Sequence, residues 1–173
     1  MTYNLLADSL AFNNRYLYNH CRRQHLDYGY RGQLLLREIL ARRLSLYCFQ
    51  ELDLRDYEEL FNPAMSRAGY TGFFIKRTGT DKADGVYAVA IKGVEFRHNT
   101  FAERENVGIV ALLDIKDGPR CRRVCIATTH VLFNPKRGLI KMAQLRYLLN
   151  VAEATVAAQD EHVPTSKHSR TRG

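Results

Sequence analysis

The chain has 173 residues, of which 46% are hydrophobic and 25% are charged, as is ordinary for one globular domain with an apolar core. No apolar run approaches the roughly 20 residues that a membrane-spanning helix needs, which argues against an integral membrane protein. The formal net charge is +8, and residues 153–173 contain as many acidic as basic side chains, so residues 1–152 carry the excess. A basic domain suits a polyanionic partner such as nucleic acid, although the same charge can simply keep a surface soluble.

The cysteines do not suggest a metal site. Cys21, Cys48, Cys121 and Cys125 include no CxxC pair, and no histidine or second cysteine pair stands near the last two. We therefore expect free thiols. The N-terminal residues lack the basic and then apolar pattern of a signal peptide, which favours an intracellular protein of the cytoplasm or nucleus.

Helices and strands are predicted to alternate along the chain, which indicates an α/β fold. Strands are predicted at residues 1–6, 44–49, 70–76, 86–91, 107–115 and 124–129. Helices are predicted at residues 31–43, 53–68 and 138–158. Asp53 is the expected N-cap of the second helix, and Gly69 is expected to end it. Residues 8–28 have no clear period and are expected to form a loop with helical turns, Lys92-Gly93 is expected to be a turn, and residues 161–173 are expected to be disordered.

One stretch carries most of the functional signal. The predicted strand at residues 44–49 is followed at once by Gln50 and Glu51. Reactive groups in open α/β sheets gather at the carboxyl ends of strands, and a glutamate there can hold Mg²⁺, which takes one or two protein carboxylates and keeps several waters. The alternative is a solvated glutamate at the start of the next helix, where the helix dipole favours a negative charge.

Two further polar residues stand at the ends of predicted strands. Asn4 follows Thr2-Tyr3, and His130 follows Thr128-Thr129. An amide, a carboxylate and an imidazole at comparable sheet edges fit phosphoester hydrolysis, because a metal on the carboxylate polarises the phosphoryl oxygen and the other two groups stabilise the developing charge. A single histidine after a strand, taken alone, is more often structural.

With their neighbours, these residues resemble the endonuclease/exonuclease/phosphatase superfamily, and within it the Angel branch of the carbon-catabolite-repressor-type deadenylases, which are relatives of nocturnin. The resemblance covers roughly residues 1–152. Its motifs are Met1-Thr2-Tyr3-Asn4-Leu5-Leu6-Ala7, Tyr18-x-x-Cys21-Arg22-Arg23, Cys48-Phe49-Gln50-Glu51, Asp84-Gly85, Arg104-Glu105-Asn106-Val107-Gly108 and, most specific, residues 129–138 with Ile140-Lys141 and Gln144-Leu145 behind them.

The resemblance implies a four-layer α/β/β/α sandwich and Mg²⁺-dependent hydrolysis of phosphoesters at RNA 3′ ends, of the deadenylase 3′–5′ exoribonuclease type. Glu51 is then the metal ligand, Asn4 beside it orients the phosphate or water, and His130 contacts the scissile phosphate. Asn106 and Asn134 are expected to line the substrate cleft. Asp84-Gly85 also matches a position at the cleft, although turn chemistry explains that pair equally well.

The chain departs from the family pattern at Thr128, where the family usually has asparagine, and at Glu105, where it usually has aspartate. It also has Arg43-Leu44-Ser45 where an acidic Asp-x-Asp is usual, and it contains neither a Gly-Asp-Phe-Asn nor a Ser-Asp-His string. Those strings supply the general base and water-orienting groups of the family. We therefore expect an inactive N-terminal half of the domain at residues 1–152, with a bare sheet face because most of the second sheet is missing, and a helix end and polar tail at residues 153–173.

Two other functions remain open from the sequence. The first is a non-catalytic fragment that binds RNA or a protein partner through its basic surface. The second keeps the superfamily but has DNA or a small phosphoester as substrate, and the arginine-rich surface argues against it.

Overall fold

The computed structural model describes residues 1–79, 82–88, 92–95, 105–117 and 119–160, and at residues 92–95, 116, 117, 159 and 160 it describes the backbone alone. Seven strands are present in this part of the chain: β1 Thr2–Asn4, β2 Cys48–Asp53, β3 Phe73–Lys76, β4 Asp84–Ala88, β5 Lys92–Glu95, β6 Val107–Asp117 and β7 Arg120–Thr129. The helices are α1 Asp8–Asn13, α2 Arg23–Leu26, α3 Tyr28–Ala41, α4 Leu54–Asp56, α5 Asn62–Arg67 and α6 Gly138–Asp160, with a 3-10 turn at Arg15–Tyr18 and a π-helical turn at Tyr57–Phe61 between α4 and α5.

The strands form two sheets. The first has the order β1-β2-β4-β3, in which β1 runs parallel to β2 and the other neighbours are antiparallel. The second has the order β5-β6-β7 and is antiparallel throughout. The mixed α/β class predicted from the sequence is confirmed.

The layers stack as helix, sheet, sheet, helix. On the outer face of the first sheet, α3 and α5 contribute Leu36, Ile39 and Met65 to a core that also contains Phe49 and Leu52 of β2. The inner face packs on the second sheet.

Alternate residues of β6 show how the second sheet is placed, because successive side chains of a strand point to opposite faces. Val107 and Ile109 pack against Cys48, Val86 and Ala88 of the first sheet. Val110 packs against Leu148 of α6 on the other side. The bare inner face expected from the sequence is therefore wrong: the three strands present cover it.

The boundaries of α3 follow from local chemistry. Its N-cap is Asp27, whose carboxylate accepts a hydrogen bond from the amide of Tyr30, and its buried residues fall on one helical face. Beyond its C-terminus Arg43 has φ 48°, a left-handed conformation that stops the helix. The α5 helix ends at Arg67, and Gly69, the predicted stop, lies two residues beyond with φ 87°.

Several local predictions are corrected. The predicted strand at residues 44–49 begins instead at Cys48 and continues through Glu51 to Asp53. Asp53 does precede α4, but its carboxylate does not cap that helix and instead binds Ser9. Lys92-Gly93 opens β5 rather than forming a turn, and residues 8–28 contain two helices.

Residues 161–173, where disorder was predicted, lie outside the described residues. Among the residues that the structure does describe, no helix combines the length and the apolar character required to cross a membrane.

Candidate active site

Glu51 lies at a β-bulge in β2. The register between β2 and β4 shifts between Gln50 and Leu52, so that Glu51 is the extra residue. Its φ is 53°, a left-handed conformation that costs free energy in any residue with a side chain and that is characteristic of functional sites. Gln50 and Leu52 are both buried, whereas the bulge directs Glu51 to the sheet edge, where its side chain remains 14% exposed.

Asn4 ends β1, the parallel neighbour of β2, and so reaches the same edge. Its Nδ2 donates a hydrogen bond to Oε1 of Glu51 at 2.7 Å. Its Oδ1 accepts a hydrogen bond from the amide of Leu6 at 3.0 Å. Together these hydrogen bonds fix the orientation of the side-chain amide, with its N–H group toward the carboxylate.

Arg31 of α3 holds the backbone that follows Asn4. Its guanidinium donates to the carbonyl oxygens of Leu5 at 2.6 Å and Leu6 at 2.7 Å, and it lies 4.9 Å from the ring centre of Tyr28. Leu6 has φ 52°, so this arginine stabilises a strained turn directly after a candidate site residue. Sequence reasoning assigned Arg31 only to a helix; a lone arginine at the start of an amphipathic helix was the available signal.

His130 approaches Glu51 from the second sheet, where it follows β7. Its Nε2 lies 3.6 Å from Oε1 of Glu51, and its side chain is 32% exposed. Asn4 and His130, which are distant from each other in sequence, thus both approach the same carboxylate oxygen of Glu51. The sequence-based prediction required them to lie close together, and in the structure they do.

The backbone at His130 is fixed by a chain of buried amides. Nδ2 of Asn106 donates to the carbonyl oxygen of His130 at 2.8 Å, and Nε2 of Gln144 donates to Oδ1 of Asn106 at 3.3 Å. Oε1 of Gln144 accepts from the amide of Leu132 at 3.1 Å, and the Gln144 side chain is fully buried. Asn106 is therefore a positioning residue in this structure. Its expected contact with substrate stays a prediction.

Asn134 lies in the exposed loop between β7 and α6. Its Oδ1 accepts a hydrogen bond from the amide of Lys136, and its carbonyl oxygen accepts one from the amide of Arg137, so the residue organises its own turn. No hydrogen bond among the described residues joins it to Glu51. Its proposed place in the substrate cleft also stays a prediction.

The carboxylate oxygens of Glu51 are ligands of the type that suits Mg²⁺. Within the described part of the chain, Asn4 and His130 both approach Oε1, and Oε2 has no hydrogen-bond partner. No group of three or more His, Cys, Asp or Glu side chains that could hold a metal occurs there. This excludes a zinc-type cage among those residues. A single carboxylate oxygen is still a suitable ligand for Mg²⁺, which keeps most of its waters.

A buried polar cluster underlies this edge. The amide and hydroxyl of Ser9 donate to Asp53 at 2.9 and 2.7 Å. Burial raises the pKa of the nearby Asp56 carboxyl, and its Arg55 partner opposes that effect. Burial also raises the pKa of the Tyr28 hydroxyl, to which the charge of Asp56 adds. Among the described residues, neither the Tyr28 hydroxyl nor Oδ2 of Asp56 has a hydrogen-bond partner.

Asp84 and Gly85 also reach this edge, but as the first residues of β4 rather than as a turn. Asp84 is buried and lies 3.4 Å from Arg77. A Cβ added at Gly85 would lie 2.2 Å from the carbonyl oxygen of Ile75, so glycine is required there for β3 and β4 to pair.

Comparison with known proteins finds relatives with these motifs. Over 162 residues the chain is 35% identical to protein angel homolog 2 of Danio rerio, a match that covers 86% of this chain and 28% of that protein. It is 31% identical to carbon catabolite repressor protein 4 homolog 3 of Arabidopsis thaliana, with 88% of this chain and 35% of that protein covered. No protein-family model matches the chain.

Among solved structures, the fold matches that of ANGEL2, described as a 2′,3′-cyclic phosphatase and solved in complex with adenosine-2′,3′-vanadate. The TM-score is 0.79 at 36% identity, and the match covers 86% of this chain and 45% of that one. The chain therefore spans less than half of this solved relative, and between about a quarter and a third of the two curated proteins.

Proposed function

The chain belongs to the Angel and carbon-catabolite-repressor branch of the endonuclease/exonuclease/phosphatase superfamily, and we propose that it provides the metal- and phosphate-binding part of a Mg²⁺-dependent phosphoesterase that acts on RNA 3′ ends. The observation that carries this proposal is the convergence of Asn4 and His130 on one oxygen of Glu51. Mere structural roles would not require three separate segments to bring an amide, a carboxylate and an imidazole to one point.

Each side chain has a defined task in the proposed reaction. Glu51 holds Mg²⁺ through its carboxylate, and the bound ion supplies charge stabilisation at the phosphoryl group. Asn4 keeps that carboxylate in place through its Nδ2 donor and offers the same group to a phosphate oxygen. His130 donates from Nε2 to a non-bridging oxygen, where negative charge grows as the phosphoester bond breaks.

A 2′,3′-cyclic phosphate is the first candidate substrate. The support is the 36% identity to ANGEL2, whose own description as a cyclic phosphatase applies to that protein. The second candidate, which the family resemblance implies, is stepwise 3′–5′ removal of nucleotides from a 3′-hydroxyl end, and the 31% identity to carbon catabolite repressor protein 4 homolog 3 supports it.

The two reactions can be separated on one gel. The chain is incubated with Mg²⁺ or with EDTA and a 5′-labelled oligoadenylate that ends either in a 2′,3′-cyclic phosphate or in a 3′-hydroxyl. Opening of the cyclic phosphate changes the end charge without changing the length, whereas exonucleolytic cleavage shortens the RNA. We expect slow Mg²⁺-dependent conversion of the cyclic end, because the metal- and phosphate-binding groups are present whereas the missing general base lowers the rate by about 10²–10⁴-fold. Complete absence of conversion would instead agree with the inactive half expected from the sequence.

Glu51→Gln tests the assignment, with Glu58→Gln, an exposed glutamate of the π-helical turn, as the matched control. We expect Glu51→Gln to lower conversion by at least about 100-fold, because the metal contribution to catalysis amounts to several kcal/mol. Equal rates in both variants would contradict the proposal. Binding of RNA without conversion of either end would instead support the non-catalytic alternative.

A further inference from the structure

We propose that a groove beside the candidate active site binds single-stranded RNA upstream of the 3′ end, by stacking bases on Phe12 and Tyr30 and pairing phosphates with Arg15 and Arg23. This inference rests on the proposed function, which supplies RNA as the ligand. It concerns a second site, because none of the candidate site residues Asn4, Glu51 and His130 lines the groove.

The groove is large and has a defined wall. Its volume is about 940 Å³, near the upper end of the range of roughly 300–1,000 Å³ for ligand-binding clefts. It lies among α1, the 3-10 turn, α2 and the start of α3. Its walls include Asp8, Phe12, Arg15, Arg23, Asp27 and Tyr30.

Aromatic rings in this groove are exposed to an unusual extent. Phe12 is 61% exposed and Tyr30 is 51% exposed, although large apolar rings usually gain free energy from burial. Each ring already has one planar partner: the Arg15 guanidinium lies 4.5 Å from the Phe12 ring centre, and the His25 ring stacks on Tyr30 at 5.8 Å. Flat, exposed rings with one planar partner are the platforms on which unpaired bases stack.

The charge of the wall favours an anion. From Ser9 to Leu26 the sequence has no acidic residue but contains Arg15, Arg22 and Arg23. The two acidic residues of the wall are engaged elsewhere. Asp27 caps α3, and Asp8 lies 3.9 Å from Arg55. Four arginines, Arg15, Arg22, Arg23 and Arg55, thus lie in or beside the wall with its two aspartates, and this excess of positive charge suits a groove that follows a phosphate backbone.

The groove is also joined to the candidate active site. Asp8 of the wall lies four residues after Asn4, and its neighbour Ser9 is hydrogen-bonded to Asp53, two residues after Glu51. The end of the groove at Asp8 therefore lies a few residues from both Asn4 and Glu51, within reach of an RNA chain whose 3′ end is held at Glu51. Longer RNA, which reaches the groove, should therefore bind more tightly than shorter RNA, which does not.

The test uses fluorescence anisotropy with 5′-labelled oligoadenylates of about 3 and about 12 nucleotides, since single-strand binding sites commonly span roughly 4–16 nucleotides. The variant is Phe12→Ala/Tyr30→Ala. Tyr16→Ala is the matched control, because Tyr16 belongs to the same segment and is 68% exposed but does not line the groove. Both altered rings are exposed, and circular dichroism checks that each variant is folded.

We expect the double variant to bind the longer RNA at least about 10-fold more weakly, because one base stacked on an aromatic ring contributes about 1–3 kcal/mol. Tyr16→Ala and the shorter RNA should show little change. Unchanged affinity of the double variant for the longer RNA, or no binding by the wild type, would overturn the proposal.

Salt dependence gives a second, independent readout. Arg15→Gln/Arg23→Gln should reduce the slope of log K against log salt by roughly 0.7 for each phosphate that is no longer neutralised. An unchanged slope would contradict the role of the arginines.

Glu51→Gln distinguishes this proposal from the proposed function. In the Glu51→Gln background hydrolysis should be lost, while Phe12→Ala/Tyr30→Ala should still weaken binding of the longer RNA by the same factor as in the wild-type background. If the groove variants weaken binding but no Glu51-dependent hydrolysis exists, the groove remains valid and the phosphoesterase proposal fails.

Discussion

The two sheets contribute to the candidate site from very different surroundings. In the first sheet every residue of β4 is buried, and β2 is nearly as enclosed. In the second sheet most of β7 is exposed, and β7 forms the edge of that sheet. The outer side of α6 is likewise exposed at Leu139, Met142 and Leu149. Glu51 therefore belongs to a well-packed strand, whereas Asn4 at the exposed end of β1 and His130 after β7 lie in less enclosed surroundings.

This difference explains why polar networks are unequally distributed. Glu51 needs only a bulge and one amide partner, since the sheet around it is enclosed by helices. The position of His130 depends on the buried Asn106 and Gln144 side chains, which tie its backbone to α6. Because the site spans both regions, its order is limited by the less enclosed region around His130.

The largest expected effect is on stability and tests the contrast directly. Phe49→Ala removes a fully buried ring that contacts Phe61 and Tyr87, and such deletions cost about 3–5 kcal/mol. Val124→Ala on the exposed β7 should change the free energy of unfolding by about 0.5 kcal/mol or less. Urea denaturation of both variants measures the difference. Similar destabilisation of the two variants would show that the regions are equally packed.

Arg31→Met should have an effect on stability of comparable size. It removes two hydrogen bonds from a charged donor to the carbonyl oxygens of Leu5 and Leu6, each hydrogen bond of this kind contributing about 1.5–3 kcal/mol. The free energy of unfolding and the Mg²⁺ affinity, measured by isothermal titration calorimetry, should both fall. Arg31→Lys should restore part of both quantities. Arg37→Met, an exposed arginine of the same helix, is the control. A loss of stability without any loss of Mg²⁺ affinity would limit Arg31 to a structural role.

Gln144→Leu is the corresponding test of the second region. The substitution leaves Oδ1 of Asn106 and the amide of Leu132 without their partner, which costs about 1–3 kcal/mol for each buried group left unsatisfied. The effect should reach His130: RNA conversion should fall while Mg²⁺ affinity at Glu51 stays near the wild-type value. An equal fall in both quantities would mean that the two sides of the site are not held separately.

The smallest effect is expected at Asp56. Burial raises the pKa of this carboxyl above its ordinary value, so the folded state favours the protonated form and stability is lost as the pH rises through the folded pKa. Asp56→Asn should therefore raise the thermal midpoint by a few degrees at most at neutral pH. The gain should disappear in acid, below the ordinary carboxyl pKa. A gain that is the same at every pH would exclude protonation of Asp56 as its cause.

Sequence reasoning located the candidate site because its signals are local. Asn4 and His130 each follow a short run of strand-forming residues, and the structure brings both to Glu51. It misplaced β2, because the apolar residues at 44–47 resemble a strand and nothing in the pattern distinguishes them from residues 48–53.

Other features depend on tertiary contacts that no periodicity reveals. The bulge at Glu51 is defined by the register with β4, and the capping role expected of Asp53 is replaced by a hydrogen bond with Ser9, which is distant in sequence. Asn106 was expected at the substrate cleft, and its observed partners come from α6 and from the end of β7. The groove wall at residues 8–30 was missed because short helices leave no recognisable period.

The bulge at Glu51 has a consequence for how this segment tolerates insertions and deletions. Because the side chains of a strand alternate, the loss or gain of one residue between Cys48 and Asp53 would turn the carboxylate inward and expose Leu52. Homologous chains should therefore keep both Glu51 and the number of residues here, whereas the loop between β3 and β4 should accept changes in length. A family alignment that keeps six residues from Cys48 to Asp53, with the glutamate at the fourth of them, would support this requirement.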